Sequence, residues 1–395
     1  MGGILPQHRQ ALHTGVRAVR IRTIDAIPPV LIRVHSGCGT LSPAISIPER
    51  YFMRLIVLMF AASLMLINRP AAGLQDSPGW CVSAWYPSSG HRGGYTSLMS
   101  HLETIDIVNP FWYSPNRDGS LLRSRAAEDA GQLAAWREAG LRIIPSLHSG
   151  RADVIEDEAR RAAHIAAIVA LADRMAYDGI DIDYEGFSLS AREPFSQFIE
   201  ELSQALHAEG RLLSVTVHAK SSDSGFWEGA ASQDWVRLAP AADIFNIMTY
   251  DYTGRAQPPG PIAPTDWVLD VLAYAETILD LQRVRLGIPF YGYTWLRGEP
   301  PAETIQWETI MQLVNAFNGE IQRLPGDQEA FVALEAPGLP PRIIHFADAE
   351  GLRYKLERVL EAFPRLGGLA IWGLGGEDPA SWDVLADLRP ASCAR

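Results

Sequence analysis

Asp178-Gly179-Ile180-Asp181-Ile182-Asp183-Tyr184-Glu185 is the stretch from which the rest of the chain is read. Asp181, Asp183 and Glu185 are spaced by two, and on an extended strand residues two apart share a face. Ile180, Ile182 and Tyr184 take the opposite face. One side of such a strand is apolar and covered; the other carries three carboxyl groups. Like-charged carboxyls in a partly desolvated interior cannot all ionise, so protons are shared and at least one pKa rises. A solvated polar face on an edge strand would give the same pattern, as would a magnesium site built from carboxylates. The helix-like run before the strand and its apolar alternate positions favour a central strand. No histidine or further acid cluster supports a metal, so neither metal nor cofactor is expected.

Outward from this strand, short apolar runs alternate with longer amphipathic ones. The candidate strands are Val82–Tyr86, Ile105–Trp112, Leu141–Leu147, Gly179–Tyr184, Leu212–His218, Ile244–Tyr250, Val284–Phe290 and Gly368–Trp372. Apolar residues at three- and four-residue spacing predict helices over Arg123–Ala139, Asp153–Tyr177, Pro194–His207, Ala263–Gln282 and Leu352–Phe363. Eight strands alternating with helices predict parallel βαβ units in an α/β protein, and eight strands close a (β/α)8 TIM barrel. The chain has 395 residues, against about 250 in a typical barrel. The surplus within the barrel region falls between the seventh and eighth strands, at about residues 296–346, and includes Pro337-Gly338-Leu339-Pro340-Pro341. A small insertion between strand 7 and helix 7 is expected there. Barrel enzymes carry their sites at the C-terminal ends of the strands, which is where the carboxyl-bearing face of 178–185 leads.

Residues 53–73 are of another kind. Met53-Arg54 is followed by the uncharged run Leu55 to Ile67, then by Asn68-Arg69-Pro70-Ala71-Ala72-Gly73. A basic residue, an apolar run too short to span a bilayer and a small-residue site form the pattern of a secretory signal peptide; an uncleaved signal anchor is the alternative. Residues 1–52 are arginine-rich and without sustained periodicity, and are expected to be a mis-called or disordered leader ahead of a true start at Met53, or else a cytoplasmic tail. Residues 74–395 then form the barrel. The expected location is secreted or periplasmic, with no membrane attachment after signal cleavage, and the expected state is a monomer.

The chain's formal charge is −12, and residues 1–72 hold eight arginines against two acids, so the remainder carries −18. So acidic a protein is poorly suited to nucleic acid or anionic membranes. Cys38 lies in the leader; Cys81 and Cys393 remain, as a disulfide between the two ends of the barrel region or as two buried thiols.

The acidic stretch resembles the Asp-x-x-Asp-x-Asp-x-Glu signature of glycoside hydrolase family 18, the chitinase-like family, with Asp178, Asp181, Asp183 and Glu185 in its four acidic positions. Met248-Thr249-Tyr250-Asp251 is similar to the family's sixth-strand segment, Leu286–Gly292 to its seventh, and Gly367–Trp372 to its eighth. The resemblance runs from about Trp80 to Leu388. Pro259–Pro264 ahead of Trp267, and Leu374–Asp378 after Trp372, look like the branch of spore-cortex-lytic glucosaminidases and their bacterial relatives.

The resemblance implies a retaining hydrolase of β-linked, N-acetylglucosamine-containing glycans, either chitin and chitooligosaccharides or peptidoglycan, acting by substrate-assisted catalysis. Glu185 is the expected acid and base, its pKa raised by Asp183. Asp183 accepts the oxazolinium N–H, Asp181 shares a proton with Asp183, and Tyr250 aligns the substrate's acetamido group. Trp372 floors the sugar pocket, with Asp251 on the leaving-group side and Met248 beside them. Asp178 is grouped with these as the motif's first acid, although its position before the strand suits a hydrogen bond at the strand's start. Trp85, Tyr86, Trp112, Tyr113, Tyr291 and Trp295 stand near strand ends, as stacking platforms or as packing. His148 and His218 receive no role. The competing reading is a non-catalytic carbohydrate-binding protein on the same barrel; the presence of both Glu185 and Asp183 favours the enzyme.

Overall fold

The computed structural model describes residues 80–87, 93–335, 337–390 and 393. The proposed leader and signal segment lie outside the described residues. Eight parallel strands close a barrel: β1 (Cys81–Pro87), β2 (Ile107–Pro115), β3 (Arg142–Ile143 and Ser146–His148), β4 (Gly179–Asp183), β5 (Leu212–His218), β6 (Ile244–Met248), β7 (Val284–Pro289) and β8 (Gly368–Trp372). Each pairs with the next, and β8 returns to pair with β1. The (β/α)8 TIM barrel read from the sequence is the fold observed.

Helix boundaries differ from the expectation where capping residues intervene. The run predicted as Asp153–Tyr177 is two helices, Ala152–Ile155 and Glu158–Met175. Asp157 between them is extended, and its side chain accepts the Arg160 backbone N–H at 2.9 Å, starting a new helix. The run predicted from Arg123 starts at Ala130, capped by Asp129. Ahead of it Leu121–Arg123 pairs antiparallel with β2, and Glu128 sits at φ 65°, which a helix does not admit. Ala263–Gln282 shortens to Thr265–Glu276 followed by a 3₁₀ turn at Leu281–Arg283. Strand three is broken around Ile144-Pro145, where proline removes a ladder donor.

The outer faces of the strands bury Ile180, Ile182, Val215, Val217, Ile247 and Leu286 against the helices in one continuous core. Each such aliphatic side chain contributes about 1.5–3 kcal/mol of burial. The inner faces are polar, with Ser83, Asn109, Ser146, Asp181, Ser214, Thr216 and Asn246 all buried.

Between β7 and the helix Ala349–Ala362 the chain builds an antiparallel sheet of Gly292–Leu296, Glu303–Ile305, Gln322–Arg323, Ala330–Leu334 and Arg342–Phe346. The helix Trp307–Phe317 covers it over a small core around Ile310, Val332 and Phe346. Glu329 ties this insertion to the barrel by accepting the backbone N–H groups of Ile262 and Ala263 at 2.7 and 2.9 Å. Cys81 and Cys393 form a disulfide, with Cα atoms 4.7 Å apart.

Candidate active site

Asp181 is fully buried at the centre of the barrel. It accepts hydrogen bonds from Trp85 Nε1 on β1 (3.2 Å), Ser146 Oγ on β3 (2.6 Å), Ser214 Oγ and Thr216 Oγ1 on β5 (2.7 and 3.0 Å) and Asn246 Nδ2 on β6 (3.3 Å). Burial raises its pKa while these donors pull it back. The expected proton shared with Asp183 is not among these contacts: the partners are neutral donors from four other strands of the barrel. The register explains the convergence, since Asp181 stands opposite Ser146 on one side and Ser214 on the other.

Asp183, one inward position further along β4, is almost fully buried, and among the described residues its Oδ1 has no hydrogen-bond partner. Burial pushes its pKa well above the carboxylate range, with Glu185 and then Asp181 adding to the rise. Glu185 follows just past the strand end. Its side chain keeps 45% of its surface accessible, yet the surrounding protein removes enough water to push its pKa up to about 7. The second contribution is the charge of Asp251, where the sequence pointed to Asp183. The two neighbouring carboxyls thus hold at least one proton between them near neutral pH.

Thr249 takes the chain off β6, its Oγ1 donating to the Gly287 carbonyl at 2.6 Å. Asp251, at φ 57°, accepts from Tyr291 Oη at 2.5 Å and Tyr293 Oη at 2.8 Å. These tyrosines come from the end of β7 and the first strand of the insertion, so the insertion fixes the Asp251 carboxyl. Tyr250 is half-buried against that aromatic group, 6.3 Å from Tyr291 between ring centroids. Burial, then the charges of Asp183, Glu185 and Asp251, hold its phenol well above the usual tyrosine range, so it remains a donor. Gly287 makes room for it: a Cβ there would lie 3.0 Å from Tyr250 Cε1 and 2.5 Å from the Ile247 carbonyl oxygen.

Trp372, half-buried at the end of β8, meets Trp85 edge-on at 6.2 Å and Phe111 at 5.4 Å. Phe111 stacks on His148 at 4.3 Å. Phe111 was not singled out from the sequence, although it is the β2 neighbour of the β1 end. Met248 is buried at the end of β6. His218, at the end of β5, places Nε2 3.6 Å from Glu185 Oε2. Burial pushes its pKa down to about 4, so it is neutral.

Other candidates sort to packing. Asp178 lies before β4, at the opposite end of the strand, and accepts the Ile143 backbone N–H at 2.7 Å. It is therefore not brought to the cleft; it stitches β3 to β4. Trp112 and Tyr113 are buried in the outer core, Tyr113 Oη lying 2.8 Å from Tyr177 Oη. Tyr86 packs edge-on against Trp136 at 5.3 Å, and Trp295 is buried with Nε1 donating to the Gln257 carbonyl at 2.8 Å.

The closed barrel and the carboxyl-lined mouth define a class, and glycosyl hydrolases family 18 matches residues 110–377. The chain belongs to that family. It is similar to the uncharacterized glycosylase YvbX of Bacillus subtilis (30% identity, 55% of this chain, 63% of that one). It is also similar to the cortical fragment-lytic enzyme of the same organism (27% identity, 59% of this chain, 55% of that one). The chain thus spans less than two thirds of the length of either. Among solved structures, a chitinase from Chromobacterium violaceum ATCC 12472 superposes with a TM-score of 0.73 at 25% identity, covering 78% of this chain and 98% of that one. The Bacillus cereus spore cortex-lytic enzyme SleL shares the fold, with a TM-score of 0.72 at 20% identity over 80% of this chain and 75% of its own.

Proposed function

We propose that this protein is a retaining glycoside hydrolase that cleaves β-linked N-acetylglucosamine glycans by substrate-assisted catalysis. The observation that carries the reading is the pairing at the barrel mouth. Glu185 has a carboxyl raised to about 7, and Asp183 beside it has a bare buried oxygen. In the free protein burial favours a proton on Asp183; the reacting form is the one in which that proton sits on Glu185 and Asp183 is the anion. Glu185 donates that proton to the leaving glycosidic oxygen while the substrate's own 2-acetamido oxygen attacks the anomeric carbon. The oxazolinium N–H formed in this step needs an acceptor, which Asp183 Oδ1 supplies. Tyr250, kept protonated, donates to the acetamido oxygen and holds it in line. Glu185 then takes a proton from water attacking the opposite face of the intermediate, and configuration is retained.

Trp372, with Trp85 and Phe111 against it, offers the apolar floor for the sugar ring. The substrate classes that suit this site are chitooligosaccharides and peptidoglycan, and the likeness to cortical fragment-lytic enzymes supports the second. Secretion, or a periplasmic location, is supported by the Cys81–Cys393 disulfide, because such bonds persist in oxidising compartments.

The deciding experiment sets the purified protein against Glu185→Gln on chitooligosaccharides and on peptidoglycan, with products read by mass spectrometry. Cleavage by the parent and loss of about 10²–10⁴ in kcat/KM in the variant is expected. Glycan binding without cleavage by either protein would replace the enzyme reading with a carbohydrate-binding one.

A further inference from the structure

Large aromatic side chains are usually covered, yet on the connection after β5 Phe226 and Trp227 are 65% and 51% exposed. Trp227 is exposed but not loose. Its ring stands edge-on to His218, with centroids 4.7 Å apart. Behind it lies Gly229, where a Cβ would run into the indole. Gly225, at φ +61°, makes the turn that brings the pair up. His218 in turn is the residue whose Nε2 lies 3.6 Å from Glu185 Oε2. A pinned, half-exposed indole therefore stands one side chain away from the acid.

Its side of the cleft follows from strand order. Trp372 and Phe111 line the mouth on β8 and β2, with buried Trp85 of β1 packed beneath Trp372, and Trp227 rises after β5, beyond Glu185 at the end of β4. The acid must stand at the bond being broken. The ring that forms the oxazolinium occupies the Trp372 side, so the departing sugar emerges on the Trp227 side. A flat indole matches the C–H face of a pyranose.

Resting on the proposed function, we infer that Trp227 is the platform of a sugar-binding subsite for the leaving-group half of the glycan, with His218 as its inner wall. Binding there holds the departing sugar at the acid, so Trp227 sets how strongly the enzyme prefers a glycan that continues past the scissile bond.

The test compares wild type, Trp227→Ala and Trp227→Phe on an N-acetylglucosamine hexamer and on an aryl glycoside of the same sugar, whose leaving group is a phenol. Trp227→Ala is expected to lower kcat/KM on the hexamer about tenfold, mainly through KM. The loss should be smaller on the aryl glycoside, and Trp227→Phe should recover most of it. Equal losses on both substrates, or none on the hexamer, would overturn the subsite. Hexamer affinity is also measured calorimetrically in the Glu185→Gln background. If wild type hydrolyses neither substrate, the hydrolase reading fails by itself. The affinity then decides the subsite: weaker binding after Trp227→Ala supports it, whereas unchanged binding, or no binding with Trp227 intact, overturns it.

Discussion

Glu185 owes its proton first to burial and second to Asp251, and the two causes can be separated. Because the acid must be protonated, kcat/KM is expected to fall as pH rises through about 7. Asp251→Asn removes a negative charge that favours the protonated form. It should move this basic limb to lower pH while the variant stays folded, and a pH–rate profile of the two proteins reads the shift directly. An unmoved limb would mean that burial alone sets the value. At this scale much of the site was legible. Asp183, Glu185, Tyr250, Asp251 and Trp372 sit at or just past strand ends; a period of two reveals the common direction of Asp181, Asp183 and Glu185, and the family resemblance points to the rest. The donors to Asp181 were within reach of the same rule, since Ser214 and Thr216 alternate with Val215 and Val217. What the spacing of one strand could not reveal was contact between strands that are distant in sequence. Phe111 against Trp372 depends on barrel closure, and the charge of Asp251 acting on Glu185 depends on the curvature that brings the ends of β4 and β6 to one mouth.

Elements hold these side chains by a few close approaches. Gly287 lets the Tyr250 ring lie against β7; Gly287→Ala would press a methyl group onto the Ile247 carbonyl and into the phenol. Loss of activity exceeding the loss of thermal stability is expected, and kinetics with melting curves on the same preparation would show it. A second junction lies outside the cleft, where a groove of about 450 Å³ runs past Tyr113, Glu128 and Arg174. Arg174 Nη2 donates to Glu128 at 2.9 Å and Arg123 Nη1 at 2.8 Å, and Tyr113 Oη donates at 2.9 Å. These contacts, that of Arg174 first, hold the Glu128 carboxyl down at about 2. A depressed carboxyl stabilises the fold above its unfolded pKa, near 4.5, and loses that contribution as pH falls towards 2. With both arginines more than half exposed, screening reduces the effect, and Glu128→Gln should cost about 1–2 kcal/mol at pH 7. Urea titrations at pH 7 and pH 3 should show the difference shrinking at the lower value. The helix boundaries missed from sequence lie at the same kind of place, since a cap such as Asp129 or Asp157 competes with helix periodicity and wins locally.

For the molecule as a whole, the acidic surface and the closed barrel act differently. The negative charge bears on substrate: an anionic glycan is mildly repelled, so cleavage of peptidoglycan should speed up with added salt more than cleavage of neutral chitooligosaccharides. Rates on both substrates across a salt series test this. The eight-strand fold was readable because each βαβ unit repeats one pattern. The internal order of the insertion was not, since its short antiparallel strands carry too few residues to show a period. Its contribution to the site, through Tyr293 on Asp251, is a matter of tertiary contact. The disulfide closes the barrel region across 312 residues of sequence. Reducing it, or replacing Cys393 by serine, should lower the unfolding free energy by about 2–5 kcal/mol, measured by denaturant titration with and without reductant.

That bond also makes the barrel a covalent ring. A protease that cuts any exposed loop between Cys81 and Cys393 opens the ring without releasing a fragment, and the two pieces stay in register for as long as the bond is oxidised. A nicked molecule should travel as one species on a non-reducing gel and as two after reduction. In a medium rich in foreign proteases, a single cut would leave the carboxyls of Asp183 and Glu185 in place.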